Sequence, residues 1–346
     1  MTSGRAIRDG WGRLSQRIMG PARRLRRPRG EARDRVWARF SGRVMGTSYA
    51  LTLAGRTSSA GLLEDLHRGV AAELHRIEAL MSTYRPDSEV SRFNAARGEA
   101  WLAVSPETAR VVAEAIDIGR RSGGAFDITV GTLVGLWGFG PGGRPGRVPG
   151  DDDITAARLH VGLDALEVRL DPPAIRKHDP LRRIDLAGVA KGFGVDRAAA
   201  VLDAQGVEDY LLEVGGEIRA RGRNALGSPW RVGIEAPGAE SRAIHRVLPL
   251  ANLAVATSGD YRIFFDHQGR RYSHTIDPRT GRPVCHGVTS VTVVHPSCMH
   301  ADAWATALTV LGPHEGLAVA RREKLAALML VQNAGALREL RTRRMI

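Results

Sequence analysis

Ala301-Asp302-Ala303-Trp304-Ala305-Thr306-Ala307 is the most informative stretch of the chain, because it joins strong helix formers to two oxygen-bearing side chains. Asp302 and Thr306 stand four residues apart, so one helical turn places both oxygens on the same face. A carboxylate and a hydroxyl together suit a hard divalent cation such as Mg²⁺. The spacing predicts a helix with a candidate metal site, and it also fits a helix cap or a solvated helix face.

A second stretch is typical of a strand that turns into a helix: Ile184-Asp185-Leu186-Ala187-Gly188-Val189-Ala190-Lys191-Gly192. Unpaired N–H groups at a helix start attract phosphate, a glycine lets the main chain approach closely, and Lys191 adds a positive charge. The common nucleotide motifs G-x-x-x-x-G-K-[ST] and G-x-G-x-x-G after a strand do not occur in the sequence. The alternative interpretation is that Asp185 caps the helix and Lys191 is simply exposed.

Both stretches belong to an ordered series of motifs, whose other members are Val44-Met45-Gly46-Thr47, Ser82–Asn94, Gly124–Gly131, Glu213-Val214-Gly215-Gly216-Glu217 and Tyr272–Pro278. In this order they resemble the FAD:protein FMN transferase (ApbE-like) family, over roughly Arg43 to Leu330. Several ordered motifs over most of a chain are far more specific than any one short pattern.

The resemblance implies an α+β fold of layered antiparallel or mixed sheets with flanking helices, and an FAD cleft between two halves. Apolar periodicity predicts helices over 60–81 and, capped by Ser105, over 105–122, and strands over 44–53 and 182–185. This order of helical and strand patterns independently favours α+β layers in one unit. The resemblance also implies Mg²⁺ near the pyrophosphate of FAD, held by the side chains of Asp302 and Thr306 and by the carbonyl of Gly188.

The resemblance further implies that FAD, as substrate, is contacted by Met45, Tyr84, Ala125, Phe126, Asp127, Asp185, Lys191 and Glu217. Met45 offers a polarizable surface for a flat ring, and Tyr84 combines a stacking ring with a hydroxyl. Asp127 and Asp185 can accept hydrogen bonds from sugar or purine groups. Core packing of Met45 and Phe126 would look the same in the sequence.

His274 is the candidate for taking the proton of the attacking hydroxyl, because imidazole can accept a proton near neutral pH. A structural histidine on a strand is the alternative. Asp302 could also serve as the base while it touches the metal, or the metal alone could activate the hydroxyl.

The implied reaction moves the FMN moiety of FAD to a Ser or Thr hydroxyl of a target flavoprotein and releases AMP. Two other functions stay open: an FAD pyrophosphatase that makes FMN and AMP, and a flavin-binding accessory protein without turnover. A nucleic-acid-binding module is the weakest hypothesis, because only the basic N-terminus supports it.

The charge of the chain is concentrated at its ends. Of the 346 residues with net charge +13, residues 1–40 hold twelve arginines against three acids, and residues 338–346 hold four arginines against one acid. This leaves residues 41–337 nearly neutral, so we expect a basic, disordered arm (1–40), a single flavin transferase domain (41–337) and a basic tail (338–346).

The sequence shows no run of 18 or more apolar residues, and no apolar segment follows the paired arginines at 23–24 and 26–27. We therefore expect a cytoplasmic protein without a transmembrane segment, with a periplasmic or membrane-associated location as the alternative if the start is misassigned. Cys285 and Cys298 could pair, although two cysteines in a large chain are more often free.

Overall fold

The computed structural model describes residues 35–56, 60–237, 243–259, 263–333 and 336–346. The helices within them are α1 (Ala60–Met81), α2 (Glu89–Ala95), α3 (Pro106–Arg121), α4 (Gly131–Leu136), α5 (Asp151–Arg158), α6 (Ala190–Ala204) and α7 (Cys298–Arg322). The strands of the first half are β1 (Arg35–Val44), β2 (Thr47–Arg56), β3 (Leu102–Ala103), β4 (Leu166–Leu170) and β5 (Pro173–Lys177). Those of the second half are β6 (Tyr210–Val214), β7 (Glu217–Arg221), β8 (Trp230–Glu235), β9 (Ile244–Leu250), β10 (Leu253–Gly259), β11 (Phe264–His267), β12 (Arg270–Ser273), β13 (Ile276–Asp277), β14 (Arg282–Pro283), β15 (Val288–His295), β16 (Ala326–Asn333) and β17 (Ala336–Arg341).

The main sheet has eight strands in the order β1-β2-β6-β7-β10-β15-β16-β17, and each neighbouring pair is antiparallel. Three helices cover one face, where α1 packs on α6, α6 packs on α7, and α7 packs on β10 and β15. The β8–β9 hairpin covers the other face with Trp230, Val232 and Leu248. This layering confirms the predicted α+β class.

Strand β16 shows why the sheet can be covered on both faces. Ala327 and Met329 lie in the core beneath the helices, whereas Leu328 and Leu330 lie in the core beneath the β8–β9 hairpin. Successive side chains of a strand point to opposite faces, so an uninterrupted apolar strand fills both layers.

The helix that carries the 301–307 stretch is long and broken once. Helix α7 starts after Ser297, whose side chain accepts a hydrogen bond from the N–H of His300, and its backbone is non-helical at Gly312 before Pro313. Gly312 has φ 75°, a conformation that glycine adopts without a steric penalty. Asp302 and Thr306 lie in the regular first part, as predicted.

Two predicted boundaries differ from the structure at the ends of the chain. Strand β1 begins at Arg35, so residues 35–40 of the predicted arm are in the main sheet, and residues 1–34 lie outside the described residues. Strand β17 takes in residues 338–341 of the predicted tail, because its backbone pairs with β16 from Ala336 to Arg341. Thr342 then fixes the chain after β17 to the residue before β16, since its hydroxyl donates to the carbonyl of Leu325.

Among the described residues, no helix has the length and apolar character needed to cross a membrane. Cys285 and Cys298 are both free thiols; Cys285 is exposed, and Cys298 is buried at the start of α7.

Candidate functional site

The two stretches singled out in the sequence meet in space. A Cβ atom at Gly188 would lie 3.1 Å from Thr306 Oγ1 and 3.2 Å from Phe126 Cε2, so the main chain before α6 touches the middle of α7. The neighbouring threonine differs, because Thr309 Oγ1 donates to the carbonyl of Ala305 at 2.8 Å. The Thr306 hydroxyl and the Gly188 backbone are therefore close enough to share one ligand.

Asp302 lies one helical turn before Thr306 and is almost completely buried, at 4% exposure. Its Oδ2 accepts a hydrogen bond from the N–H of Gly192 at 3.0 Å. Gly192 is required here, since a Cβ atom would lie 2.8 Å from Asp302 Cβ. Burial raises the pKa of Asp302, although the Lys191 ammonium and the Gly192 N–H oppose the rise. A cation beside the carboxylate would favour its charged form.

Lys191 lies at the start of α6, as predicted, where it is the second residue, and its Nζ forms an ion pair with Glu217 Oε1. Glu217 is 3% exposed, and its Oε2 has no hydrogen-bond partner among the described residues. Burial raises the pKa of Glu217, Lys191 lowers it, and Asp302 raises it further. The two carboxyl groups and the Lys191 ammonium thus interact electrostatically as one group.

His274 follows the last residue of β12 and is half-buried. Its Nδ1 is 3.0 Å from the carbonyl oxygen of Ile263, which can only accept a hydrogen bond. Nδ1 must therefore carry the hydrogen, and Nε2 is left with a free lone pair. Burial lowers the pKa of His274, and the charge of Lys191 lowers it further, which places His274 in the electrostatic field of the same group.

The 125–127 segment lies under this group. Ala125, Phe126 and Asp127 are all buried, and the ring of Phe126 reaches the Gly188 backbone. Asp127 Oδ1 accepts hydrogen bonds from Thr129 N at 2.7 Å and from Thr129 Oγ1 at 2.6 Å. Asp127 thus shapes its own turn, and Oδ1 is already engaged by two donors.

Asp185 sits in the turn between Ile184 and α6. It does not cap the helix, because the N-cap position is Val189 and no side chain caps it. Its Oδ1 instead accepts the N–H of Ala187 at 2.8 Å. Burial of the carboxyl raises the pKa of Asp185, although the hydrogen bond from Ala187 opposes the rise.

Met45 and Tyr84 lie at the rim of the group. Met45 has φ 50° in the β1–β2 turn, its N–H donates to Glu78 Oε1 at 2.8 Å, and its side chain packs against Gly194 of α6. Tyr84 is 69% exposed, and its hydroxyl donates to the carbonyl of Phe139. Burial of the hydroxyl and the nearby Asp185 carboxylate raise the pKa of Tyr84. The exposed ring offers a flat surface for stacking.

Sequence reasoning missed residues that hold the site in place. Asp196 of α6 accepts hydrogen bonds from Ser297 Oγ at 2.7 Å, from Cys298 N at 3.0 Å and from Met299 N at 3.0 Å, so it fixes the start of α7. Phe139 packs edge-on to His274, with ring centroids 6.4 Å apart. Asp196 lies about a hundred positions from its partners in the sequence, so no local pattern points to these contacts. The one sequence signal for Phe139 is that it is an aromatic residue in a Gly- and Pro-rich stretch.

The donor set determines which metal could fit. Among the residues that the structure describes, no three His, Cys, Asp or Glu side chains are grouped to hold a metal ion. Asp302, the Thr306 hydroxyl and the Gly188 backbone offer only oxygen atoms, and Mg²⁺ typically uses few protein oxygens and keeps other positions for water and phosphate. The residues therefore fit Mg²⁺ better than a metal that prefers sulfur or nitrogen ligands.

A lysine at a helix start, a set of buried oxygens and a histidine with a free ring nitrogen define a candidate site for a phosphate-bearing ligand. The sequence model of the ApbE family matches residues 45–329. The FAD:protein FMN transferase of Vibrio cholerae is 43% identical over 300 residues, which cover 87% of this chain and 89% of the relative. That of Haemophilus influenzae is 40% identical over 297 residues, 85% of this chain and 86% of the relative.

Solved structures agree with the sequence matches. The flavin transferase ApbE from Vibrio cholerae has a TM-score of 0.82 at 41% identity, covering 90% of this chain and 98% of that one. The apo form of the Pseudomonas stutzeri flavinyl transferase ApbE has a TM-score of 0.82 at 39% identity, covering 90% and 96%. The chain belongs to the ApbE family.

Proposed function

We propose that this protein is an FAD:protein FMN transferase, which moves the FMN moiety of FAD to a Ser or Thr hydroxyl of a target protein and releases AMP. The observation that carries the proposal is the convergence of Thr306 Oγ1 on the Gly188 backbone, 3.1 Å from a Cβ position there, beside the Asp302 carboxylate. These oxygens lie at the start of the helix that carries Lys191, where a pyrophosphate would be attracted.

Asp302, Thr306 and the Gly188 carbonyl would hold Mg²⁺ in this proposal. The ion, when bound, supplies neutralisation of pyrophosphate charge, which phosphoryl transfer requires. Support comes from the chemistry of Asp302, because burial alone penalises its charged form and a cation would reverse that penalty.

Lys191 and the FAD-contact residues bind and orient the substrate. The Lys191 ammonium faces two carboxylates and so stays charged, and it can contact a phosphate oxygen while Glu217 holds it. Met45, Tyr84, the 125–127 segment and Asp185 surround the same group and would take the ring and sugar portions of FAD. Glu217 acts through Lys191 in this proposal, since its Oε1 is already paired.

The transfer step needs one proton acceptor, and His274 Nε2 has the free lone pair for it. The acceptor hydroxyl loses its proton to Nε2 while its oxygen forms a bond to the FMN phosphorus. The bond from that phosphorus to the bridging oxygen breaks, and AMP leaves with the electron pair. Asp302 is the poorer base, because Oδ2 already accepts the N–H of Gly192.

The test is a reaction of the purified protein with FAD, Mg²⁺ and a flavoprotein that carries a Ser or Thr flavinylation site. We expect covalent flavin on the target by in-gel fluorescence and a mass increase of one FMN, with AMP released in equal amount. Omission of the target separates the alternatives: steady release of free FMN and AMP would identify an FAD pyrophosphatase. A yellow protein that releases no AMP with or without the target would identify a flavin-binding accessory protein and refute the transferase.

A further inference from the structure

A basic surface lies on the side of the β11–β12 hairpin that leads to His274, and it has no role in the chemistry described above. It lines two adjoining depressions, of about 230 and 50 Å³, that share Trp137 as a common wall. Arg144 and Arg147 of the Gly- and Pro-rich loop line the larger depression, and Arg270, Arg271 and Arg282 line the smaller one. We call these five arginines the arginine rim.

The arginine rim is only partly neutralised, because its five arginines lie beside three acidic residues. Among the described residues, Asp153 is the one acidic residue that lines either depression. Within the described part of the chain, Arg144, Arg147 and Arg270 form no ion pair, whereas Arg271 pairs with Asp266 at 3.4 Å and Arg282 pairs with Asp151 at 2.5 Å. Since residues 41–337 are nearly neutral as a whole, this local excess of positive charge would attract an anionic partner.

Aromatic rings connect the arginine rim to His274. Tyr272 lies beneath the Arg270 guanidinium, whose carbon is 5.4 Å from the ring centroid. Tyr272 stacks on Phe265 at 5.2 Å, Phe265 packs on Phe139 at 5.7 Å, and Phe139 packs on His274 at 6.4 Å. The loop and the hairpin are also tied together, because the Gly146 carbonyl lies 3.2 Å from His267 Nδ1.

The distance between the arginine rim and His274 can be spanned by a short extended peptide. Arg270 precedes His274 by four residues, and at about 3.3 Å per extended residue the two positions are separated by roughly 13 Å. An extended acceptor segment whose hydroxyl sits at His274 would place its fourth or fifth neighbour over the arginine rim.

We propose that the arginine rim docks an acidic flank of the acceptor segment, four or five residues from the hydroxyl that receives FMN. This inference rests on the proposed transferase function and adds the recognition of the protein substrate to it. Exposed arginine–carboxylate pairs contribute little individually, so the rim acts by summing several contacts and by raising the rate of encounter.

The first test measures binding without any chemistry, so that it does not depend on transfer. The probe is a fluorescein-labelled twelve-residue peptide with a central Thr and four Asp residues on one side, compared by anisotropy with a peptide that has Gln in place of Asp. We expect the Asp peptide to bind at low salt, the Gln peptide to bind at least tenfold more weakly, and the difference to shrink at 0.3 M salt as charges are screened. Equal binding of the two peptides, or no binding of either, would overturn the proposal.

Variants then locate the binding surface. The triple variant R144Q/R147Q/R270Q changes three exposed side chains, and we expect it to bind the Asp peptide about tenfold more weakly. The matched control is R110Q/R120Q/R231Q, which removes three exposed arginines elsewhere and should leave binding unchanged. An equal loss in both triple variants would mean general charge attraction and would overturn the proposal.

Measurements of FAD affinity and of vesicle binding test whether the arginine rim serves a different ligand. We expect the triple variant to keep the FAD affinity of the parent protein, measured by flavin fluorescence; a parallel loss would assign the arginines to FAD instead. Stronger binding of anionic phospholipid vesicles than of the Asp peptide, lost in the same triple variant, would assign the rim to a membrane surface. If the Asp peptide binds at the rim while no FMN is ever transferred to a target, the docking inference stands and the transferase proposal fails.

Discussion

The ammonium of Lys191 pairs with Glu217 Oε1, while Glu217 Oε2 is buried without a hydrogen-bond partner among the described residues. The pair joins the start of α6 to the start of β7, at the point where the glycine turn 215–216 leads into the strand. A buried carboxylate with one unsatisfied oxygen destabilises the fold unless its charge is balanced. The Lys191 ammonium therefore stabilises the fold at this point by balancing the Glu217 carboxylate.

The Lys191→Met variant should be less stable at pH 8 than at pH 6. Burial raises the pKa of Glu217 to about 7 even with Lys191 present, and loss of the ammonium raises it further. A group with a raised folded-state pKa adds stability at low pH, and this stability is lost as the pH rises through that pKa. At pH 8 we expect the free energy of unfolding of Lys191→Met, measured by urea titration, to be about 3 kcal/mol lower than that of the parent protein.

The control for this prediction is the double variant K191M/E217Q. It has no titrating group at position 217, so its stability should change less between pH 6 and pH 8 than that of K191M. If K191M alone showed the same flat profile, Glu217 would not be the titrating group and the ion pair would not carry the effect.

The Asp302→Asn variant should lose FMN transfer by at least about a hundredfold while it stays folded. Asparagine has nearly the same shape and keeps an acceptor for the Gly192 N–H, but it has no charge to offer to Mg²⁺. Transfer rate and the circular dichroism spectrum together check this. Wild-type transfer by D302N in Mg²⁺-containing buffer would contradict a metal role for Asp302.

The Thr306→Val variant should need roughly tenfold more Mg²⁺ for half-maximal transfer, because valine has a similar shape but no oxygen. Thr309→Val is the matched control on the same helix, since its hydroxyl is already committed to the Ala305 carbonyl. A Mg²⁺ titration of both variants decides the point: the same shift in each would mean that the effect arises from the helix and not from a ligand.

The rate of transfer should fall at acid pH with a midpoint below about 6.5, the ordinary histidine value. Burial and the Lys191 charge lower the pKa of His274, so its neutral, proton-accepting form persists to lower pH than that of an exposed histidine. The pH profile of kcat/KM for the acceptor measures this, with His274→Asn as the comparison. An acid limb that is unchanged in H274N would assign the base to another group.

The Gly188→Ala variant should weaken FAD and Mg²⁺ binding together. The added methyl group would lie 3.1 Å from Thr306 Oγ1 and 3.2 Å from Phe126 Cε2, so the backbone and α7 must separate by a few tenths of an ångström. Gly61→Ala is the control, because it meets no atom within 4 Å and lies in α1, where alanine is favoured by up to about 1 kcal/mol. FAD titration with and without Mg²⁺ compares the two variants, and unchanged affinity in G188A would argue against close contact there.

The sequence predicted elements well where local pattern and tertiary packing agree. Helix α1 has the predicted bounds, because Leu66, Val70, Leu74 and Ile77 recur at helical spacing and all of them are buried. For α3, the predicted Ser105 cap is confirmed, since its side chain accepts the N–H of Thr108 and Pro106 occupies the first turn.

Other elements depend on partners far away in the sequence. One strand was expected from Val44 to Leu53, but the chain forms a hairpin whose turn uses Met45 at positive φ, which a non-glycine residue rarely adopts. Residues 182–185 were expected as a strand and are not one. The Asn94 side chain bonds Ile184 N at 2.7 Å and Ile184 O at 2.9 Å, and it thus replaces a neighbouring strand.

The sequence predicted which residues form the candidate site, but it did not predict the contacts among them. The spacing of Asp302 and Thr306 predicted a shared helix face, and the family resemblance placed Gly188 beside them. The Lys191–Glu217 pair and the unpartnered Oε2 could not be predicted, since they depend on how closely β7 approaches α6. The assignment of individual residues to FAD, Mg²⁺ and catalysis stays a prediction that the variants above test.

Asp196 ties α6, which carries Lys191, to α7, which carries Asp302, because its side chain accepts three hydrogen bonds from the N-cap and first residues of α7. Lys191 and Asp302 therefore cannot drift apart independently, and any opening that admits a molecule as long as a dinucleotide has to come from the surrounding turns. A change at Asp196, remote from every atom that reacts, would loosen both helices at once and mimic an active-site lesion in a screen.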